Sequence, residues 1–154
     1  MYDNIILRDE NIDKDSVIEA SKTIGAHPFI ERLPGGYDFK ITERGSNLSM
    51  GQKQLISFVR ALVFDPDILI LDEATSSIDS ETEAIIQFAI EKLIQKRTSI
   101  IIAHRLSTIK HADNILVLKE GEIMEQGAHN QLMQIKDGAY QKLYEKQFAQ
   151  TMSV

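Results

Sequence analysis

The first apolar pattern along the chain is helical. Val17, Ile18, Ala20 and Ile24, then Phe29, Ile30 and Leu33, recur near a helical period; Pro28 interrupts them and Pro34-Gly35-Gly36 ends the stretch. That punctuation predicts two short helices. Leu55, Ile56, Val59, Leu62 and Val63 mark one face of a longer helix, which stops before Asp65-Pro66 because proline has no amide hydrogen to continue it. From Ile68 the period changes. An aliphatic run (Ile68–Leu71), a polar loop, a helix with Ile85, Ile86, Ala89, Ile90 and Leu93 on one face, and a second run (Ser99–Ile102) read as strand, helix, strand. This is the grammar of a parallel α/β sheet. Asn114–Leu118 and Glu122–Glu125 flank Lys119-Glu120-Gly121 as two more strands joined by a tight turn, and a helical tail begins near His129.

Composition narrows the function classes. A length of 154 residues predicts one globular domain, and 43% hydrophobic with 26% charged residues is the balance of a folded protein. Seventeen basic against 23 acidic residues leave a net charge of −6, and no segment concentrates basic residues, so non-specific nucleic-acid binding is not expected. There is no cysteine, which excludes disulfides, thiolate metal sites and cysteine nucleophiles. The longest aliphatic runs, among them Ile68–Leu71 and Ile100–Ala103, have four residues, against ~20 for a membrane-spanning helix. The polar start Met1-Tyr2-Asp3-Asn4 does not read as a signal peptide, so the expected location is cytosolic.

Three segments carry candidate chemistry. Ile68–Leu71 ends abruptly in Asp72-Glu73, and in open α/β sheets the carboxyl ends of strands line the ligand crevice. There Asp72 can hold a Mg²⁺ ion that bridges nucleotide phosphates, and Glu73 can activate an attacking water. The competing reading is a buried strand followed by two solvated acids. Asn47-Leu48-Ser49-Met50-Gly51-Gln52 precedes a helix, where free amides favour an anion, Gly51 permits close approach and the Ser49 hydroxyl can donate to a phosphate. Taken alone, Ser49-x-x-Gln52 reads better as a capping box. His104 follows the strand Ile100–Ala103, where an imidazole can meet a terminal phosphate or the water. His27, His111 and His129 lack a metal-ligand spacing and read as surface or capping residues.

In combination and order, these segments resemble the nucleotide-binding domain of ATP-binding cassette (ABC) transporters. The resemblance rests on a signature Leu48-Ser49-Met50-Gly51-Gln52, a Walker B strand Ile68–Asp72 followed by Glu73, a D-loop Ser76-Ser77-Ile78-Asp79 and a switch histidine His104. Leu71-Asp72-Glu73-Ala74-Thr75-Ser76, Ala103-His104-Arg105-Leu106-Ser107-Thr108 and Thr42-Glu43-Arg44-Gly45 are similar to the exporter branch, the last to the loop that faces transmembrane coupling helices. It implies an α/β fold: a partial P-loop NTPase (RecA-like) core with the ABC helical subdomain, residues 3–64 being the helical portion and 65–154 the second half of the core. It further implies ATP and Mg²⁺ as cofactors, Glu73 and His104 as catalytic residues, Asp72 as the Mg²⁺ ligand, and Ser49, Gly51, Gln52 and Asp79 at the nucleotide. The implied partners are a second nucleotide-binding domain, head to tail, and a transmembrane domain, at the cytoplasmic side of a membrane.

Two positions depart from the family pattern. Met50 stands where the family usually has glycine, so weakened phosphate approach is expected. No glycine pair has the five-residue spacing of Gly-x-x-x-x-Gly-Lys-Ser/Thr, so there is no Walker A segment in this sequence. The chain is therefore expected to correspond to the carboxy-terminal part of a domain, inactive alone and prone to self-association. The rival readings are a fragment of a DNA-repair ATPase of the same superfamily and a non-catalytic docking module on this scaffold.

Overall fold

The computed structural model describes residues 1–72, 80–95, 97–103 and 106–151. Helices α1 (Tyr2–Ile6), α2 (Lys14–Thr23), α3 (His27–Arg32) and α4 (Met50–Phe64) come first. Strand β1 (Ile68–Asp72), helix α5 (Ser80–Ile94), strand β2 (Thr98–Ile102) and the short α6 (Leu106–Ile109) follow, then β3 (Ile115–Lys119), β4 (Glu122–Gly127), α7 (His129–Leu132) and α8 (Ala139–Thr151). No helix among the described residues is long and apolar enough to cross a membrane. Strands β1 and β2 are hydrogen-bonded neighbours in one two-stranded sheet, and β3 and β4 make a second.

The chain divides into two compact units. One is Met1–Leu71 with the described part of Thr75–Ile100, and the other is Asp72 with the described part of Ile101–Val154. The physical reason is that two separate cores form. The larger buries Ile5, Val17, Ile24, Ile30, Leu55, Val59, Ile90 and Leu93 among the helices, and the smaller gathers Ile115, Val117, Leu132 and Tyr140.

In the larger unit, local rules place the helices. Asp13 caps α2, its carboxylate accepting from the Ser16 amide at 2.6 Å, and these amide bonds hold its pKa below the usual carboxylate value. Pro28 sits in the first turn of α3, where its missing N–H costs nothing. Helix α4 buries Gly51, Leu55, Ile56, Phe58 and Val59 and ends at Asp65, which takes a left-handed conformation (φ 43°) before Pro66. The Asp65 carboxylate pairs with the Arg97 guanidinium, which also donates to the Leu93 carbonyl at 2.8 Å, so one side chain ties the ends of α4 and α5 together. Helix α1 has no periodic signal; burial of Ile5 and Ile6 explains it.

His27 and His129, expected as surface or capping residues, are instead half-buried partners of tyrosines. His27 Nδ1 lies 2.8 Å from the Tyr37 hydroxyl and its Nε2 3.3 Å from Glu31. His129 Nδ1 lies 2.9 Å from the Tyr140 hydroxyl. Burial pushes both tyrosine pKa values up. In β1 and β2, Leu69 is buried, while Ile68, Ile70, Ile100 and Ile102 are each more than half exposed.

In the smaller unit β3 and β4 pair antiparallel from Ile115↔Gly127 to Lys119↔Glu122, with an irregularity at Val117/Leu118. Glu120 and Gly121 both have positive φ (52° and 84°), the conformation of a tight hairpin turn. Glu125 on β4 caps α8: its carboxylate accepts from the amides of Ala139 (2.6 Å) and Tyr140 (2.9 Å).

Candidate functional site

The start of α4 is built by a reciprocal cap. Ser49 Oγ accepts from the Gln52 amide at 3.2 Å, and Gln52 Oε1 accepts from the Ser49 amide at 3.0 Å. The first intrahelical bond runs from the Lys53 amide to the Ser49 carbonyl, so helix geometry leaves the Met50 and Gly51 amides without a carbonyl in their own helix. The cap uses a lone pair of the Ser49 oxygen, and the hydroxyl proton is still available to donate. Capping and anion binding, alternatives on the sequence alone, are thus compatible uses of one residue. Gly51 is buried, so a residue without a side chain suits this turn, while the Met50 side chain is exposed.

A hydrogen-bonded knot positions this helix start. Asn47 Oδ1 accepts from the Thr42 amide (3.1 Å) and Thr42 hydroxyl (2.9 Å), and Asn47 Nδ2 donates to the Lys40 carbonyl (3.0 Å). Arg44 and Gly45 follow one another in left-handed conformations (φ 56° and 64°), and a Cβ on Gly45 would lie 3.1 Å from Lys53 Cε. The left-handed backbone favours glycine at position 45, and a Cβ there would displace only the flexible end of Lys53. Below the knot lies a groove of about 270 Å³ whose lining includes Ile41, Thr42, Arg44, Lys53, Ile56 and Arg60. Arg60 donates to the Asn4 carbonyl at 2.8 Å and 3.2 Å, joining α4 to α1. Sequence reading missed Asn47 as the organiser; its signal is an amide side chain five residues after a threonine, a spacing that allows local side-chain to backbone bonds.

Asp72 is the last residue of β1, and its side chain is exposed. An exposed carboxylate at a strand's carboxyl end suits a hard cation such as Mg²⁺, which keeps most of its waters and takes one or two protein oxygens. Among the described residues no cluster of three or more metal-ligating side chains is present. Glu73, the D-loop with Asp79, and His104 lie outside the described residues. Ser49, Gly51 and Gln52 share the first turn of α4.

Ser49→Ala is expected to lower stability by about 1 kcal/mol through loss of the cap, whereas Ser49→Asp retains a capping oxygen and should unfold near the wild-type temperature. Thermal unfolding of both variants checks this.

A helix start with uncommitted amides behind a serine cap, and a strand running into paired acids, are parts of a nucleotide-binding α/β domain of the P-loop NTPase class. Residues 3–76 match the ABC transporter family model. The chain belongs to the ABC transporter family and corresponds to part of its ATP-binding domain. It is 51% identical over 151 residues to the "Probable multidrug resistance ABC transporter ATP-binding/permease protein YheH" of Bacillus subtilis, covering 98% of this chain and 22% of that protein. ABC transporter B family member 15 of Arabidopsis thaliana is 50% identical over 141 residues, 92% of this chain and 11% of that one. A solved bacterial Atm1-family ABC exporter with ATP bound superposes with a TM-score of 0.81 at 42% identity, covering 94% of this chain and 25% of that one. The chain thus spans a quarter or less of the length of these relatives.

Proposed function

We propose that the chain is part of the ATP-hydrolysing domain of an exporter, and that its first turn of α4 receives the terminal phosphate of ATP held by a second nucleotide-binding domain. The observation that carries this is the Ser49–Gln52 box, which holds the helix start rigid while leaving the Met50 and Gly51 amides and the Ser49 proton for an anion. Asp72 would hold Mg²⁺, which supplies charge neutralisation at the phosphates when bound. Glu73 accepts a proton from the attacking water, and His104 holds that water or the terminal phosphate in line. Asp79, in the D-loop, lies at the nucleotide across the same interface. The loop Thr42–Gly45 faces the transmembrane domain, and the membrane part selects the cargo. Support for the exporter reading comes from relatives whose names join ATP-binding and permease functions in one protein.

The first test is ATP hydrolysis. This chain alone is expected to release no phosphate above a Glu73→Gln control, because its sequence has no Walker A glycines or lysine to cradle the phosphates. Its affinity for ATP should be weaker than ~1 mM. The full-length protein should hydrolyse ATP; equal inactivity there would favour the docking-module reading, and micromolar binding by the chain alone would refute the present one.

The same reading explains the bare faces of β1 and β2. Ile68, Ile70, Ile100 and Ile102 are 53–65% exposed, an arrangement expected of a sheet whose other cover comes from the rest of an intact domain. In isolation the chain should self-associate through these residues, indifferently to Mg-ATP. Light scattering showing a monomer at high concentration, or a dimer only with nucleotide, would refute it.

A further inference from the structure

The signature turn carries an oxidisable group. Met50 is the first residue of α4, between the capping Ser49 and the buried Gly51, and the residue is 60% exposed. The other methionines of the described residues offer a contrast. Met1 is buried, Met133 packs against the small core, and Met124 is 54% exposed but lies on β4, outside the nucleotide site.

We propose that Met50 is a redox-sensitive modification site whose conversion to the sulfoxide by a hydroperoxide switches off the phosphate-receiving start of α4. The inference rests on the function proposed above. With hydrogen peroxide, the thioether sulfur attacks one peroxide oxygen; an S–O bond forms, the O–O bond breaks, and sulfur is oxidised by two electrons. The departing hydroxide takes the proton from the new S–OH group and leaves as water. Oxidation of this kind follows exposure of the thioether and is reversed by methionine sulfoxide reductases.

The consequence follows from reach and polarity. In the sulfoxide the oxygen stands as many bonds from Cα as a glutamate carboxylate oxygen does. At the first position of a helix, an acceptor of that reach lies near the unpaired amides of the first turn. The sulfoxide oxygen therefore competes for the Met50 and Gly51 amides and presents partial negative charge to an approaching phosphate. A thioether does neither. The cap itself uses Ser49 and Gln52 and is untouched, so modification should change anion binding without unfolding α4.

The test treats the full-length protein with hydrogen peroxide and follows three quantities: peptide masses, thermal unfolding and ATP turnover. Met50 and Met124 should each gain one oxygen well before Met1 does. Turnover should fall about ten-fold, the loss of roughly one charge-assisted hydrogen bond, with an unchanged unfolding temperature, and methionine sulfoxide reductase should restore it. Met50→Leu should keep most of its own starting activity under peroxide, whereas Met124→Leu should lose activity as the wild type does. The inference is overturned if Met50 oxidises no faster than Met1, if turnover survives full oxidation of Met50, or if Met50→Leu gives no protection. A full-length protein with no ATPase before oxidant overturns the functional reading, and this inference with it; the missing starting activity tells that failure from the others.

Discussion

Full-length protein carrying Glu73→Gln is expected to bind ATP as the wild type does and to hydrolyse it at least about a hundred-fold more slowly, the scale of a lost general base. The amide matches the carboxylate in shape but cannot accept the proton of the attacking water. Asp72→Asn should separate from it in kind. Asp72 ends β1 with an exposed carboxylate, and its loss should weaken Mg²⁺-dependent nucleotide binding itself. On the function proposed above, His104→Ala should resemble Glu73→Gln. Equilibrium binding of a labelled ATP with and without Mg²⁺, together with steady-state phosphate release, distinguishes the two classes. Near-normal turnover by Glu73→Gln would move the base elsewhere.

The second large effect is on stability. Leu55→Ala is expected to destabilise the larger unit by about 2–5 kcal/mol, the usual range for truncating a buried leucine. Leu55 is 2% exposed, on the face of α4 that also buries Ile56 and Val59. Native domains hold only about 5–15 kcal/mol in total, so this one cavity removes a large share. Because α4 begins with the Ser49 cap, loosening its packing should also loosen the capped turn at its start. Denaturant unfolding at low protein concentration should show a lower midpoint with an unchanged slope. A shift below about 1 kcal/mol would mean that the core relaxes into the space.

Local chemistry made much of this protein legible without coordinates. The helical period of Leu55, Ile56 and Val59, the Ser49-x-x-Gln52 cap and the stop at Asp65-Pro66 place α4 at Met50–Phe64. The Glu120-Gly121 turn, aliphatic strands and acids after Leu71 were equally readable, because capping, periodicity and turn chemistry act within a few residues. These same segments carry the family resemblance, and the matching domain and fold bear it out.

What distant residues decide is a different set. Helix α1 has five residues and no periodic signal; Ile5 and Ile6 are buried in the core that α4 shares, and Arg60 reaches 56 positions back to the Asn4 carbonyl. Glu125 caps α8 from fourteen residues away, and His27 and His129 each find a tyrosine that no spacing rule connects to them. The division into two cores, and the open face of Ile68, Ile70, Ile100 and Ile102, depend likewise on which surfaces meet. By itself the sequence determined most of the elements, the local caps and the chemistry at strand and helix ends, because those free energies belong to neighbours in the chain. Only the tertiary structure decided burial and long-range capping, because each depends on groups brought together by packing.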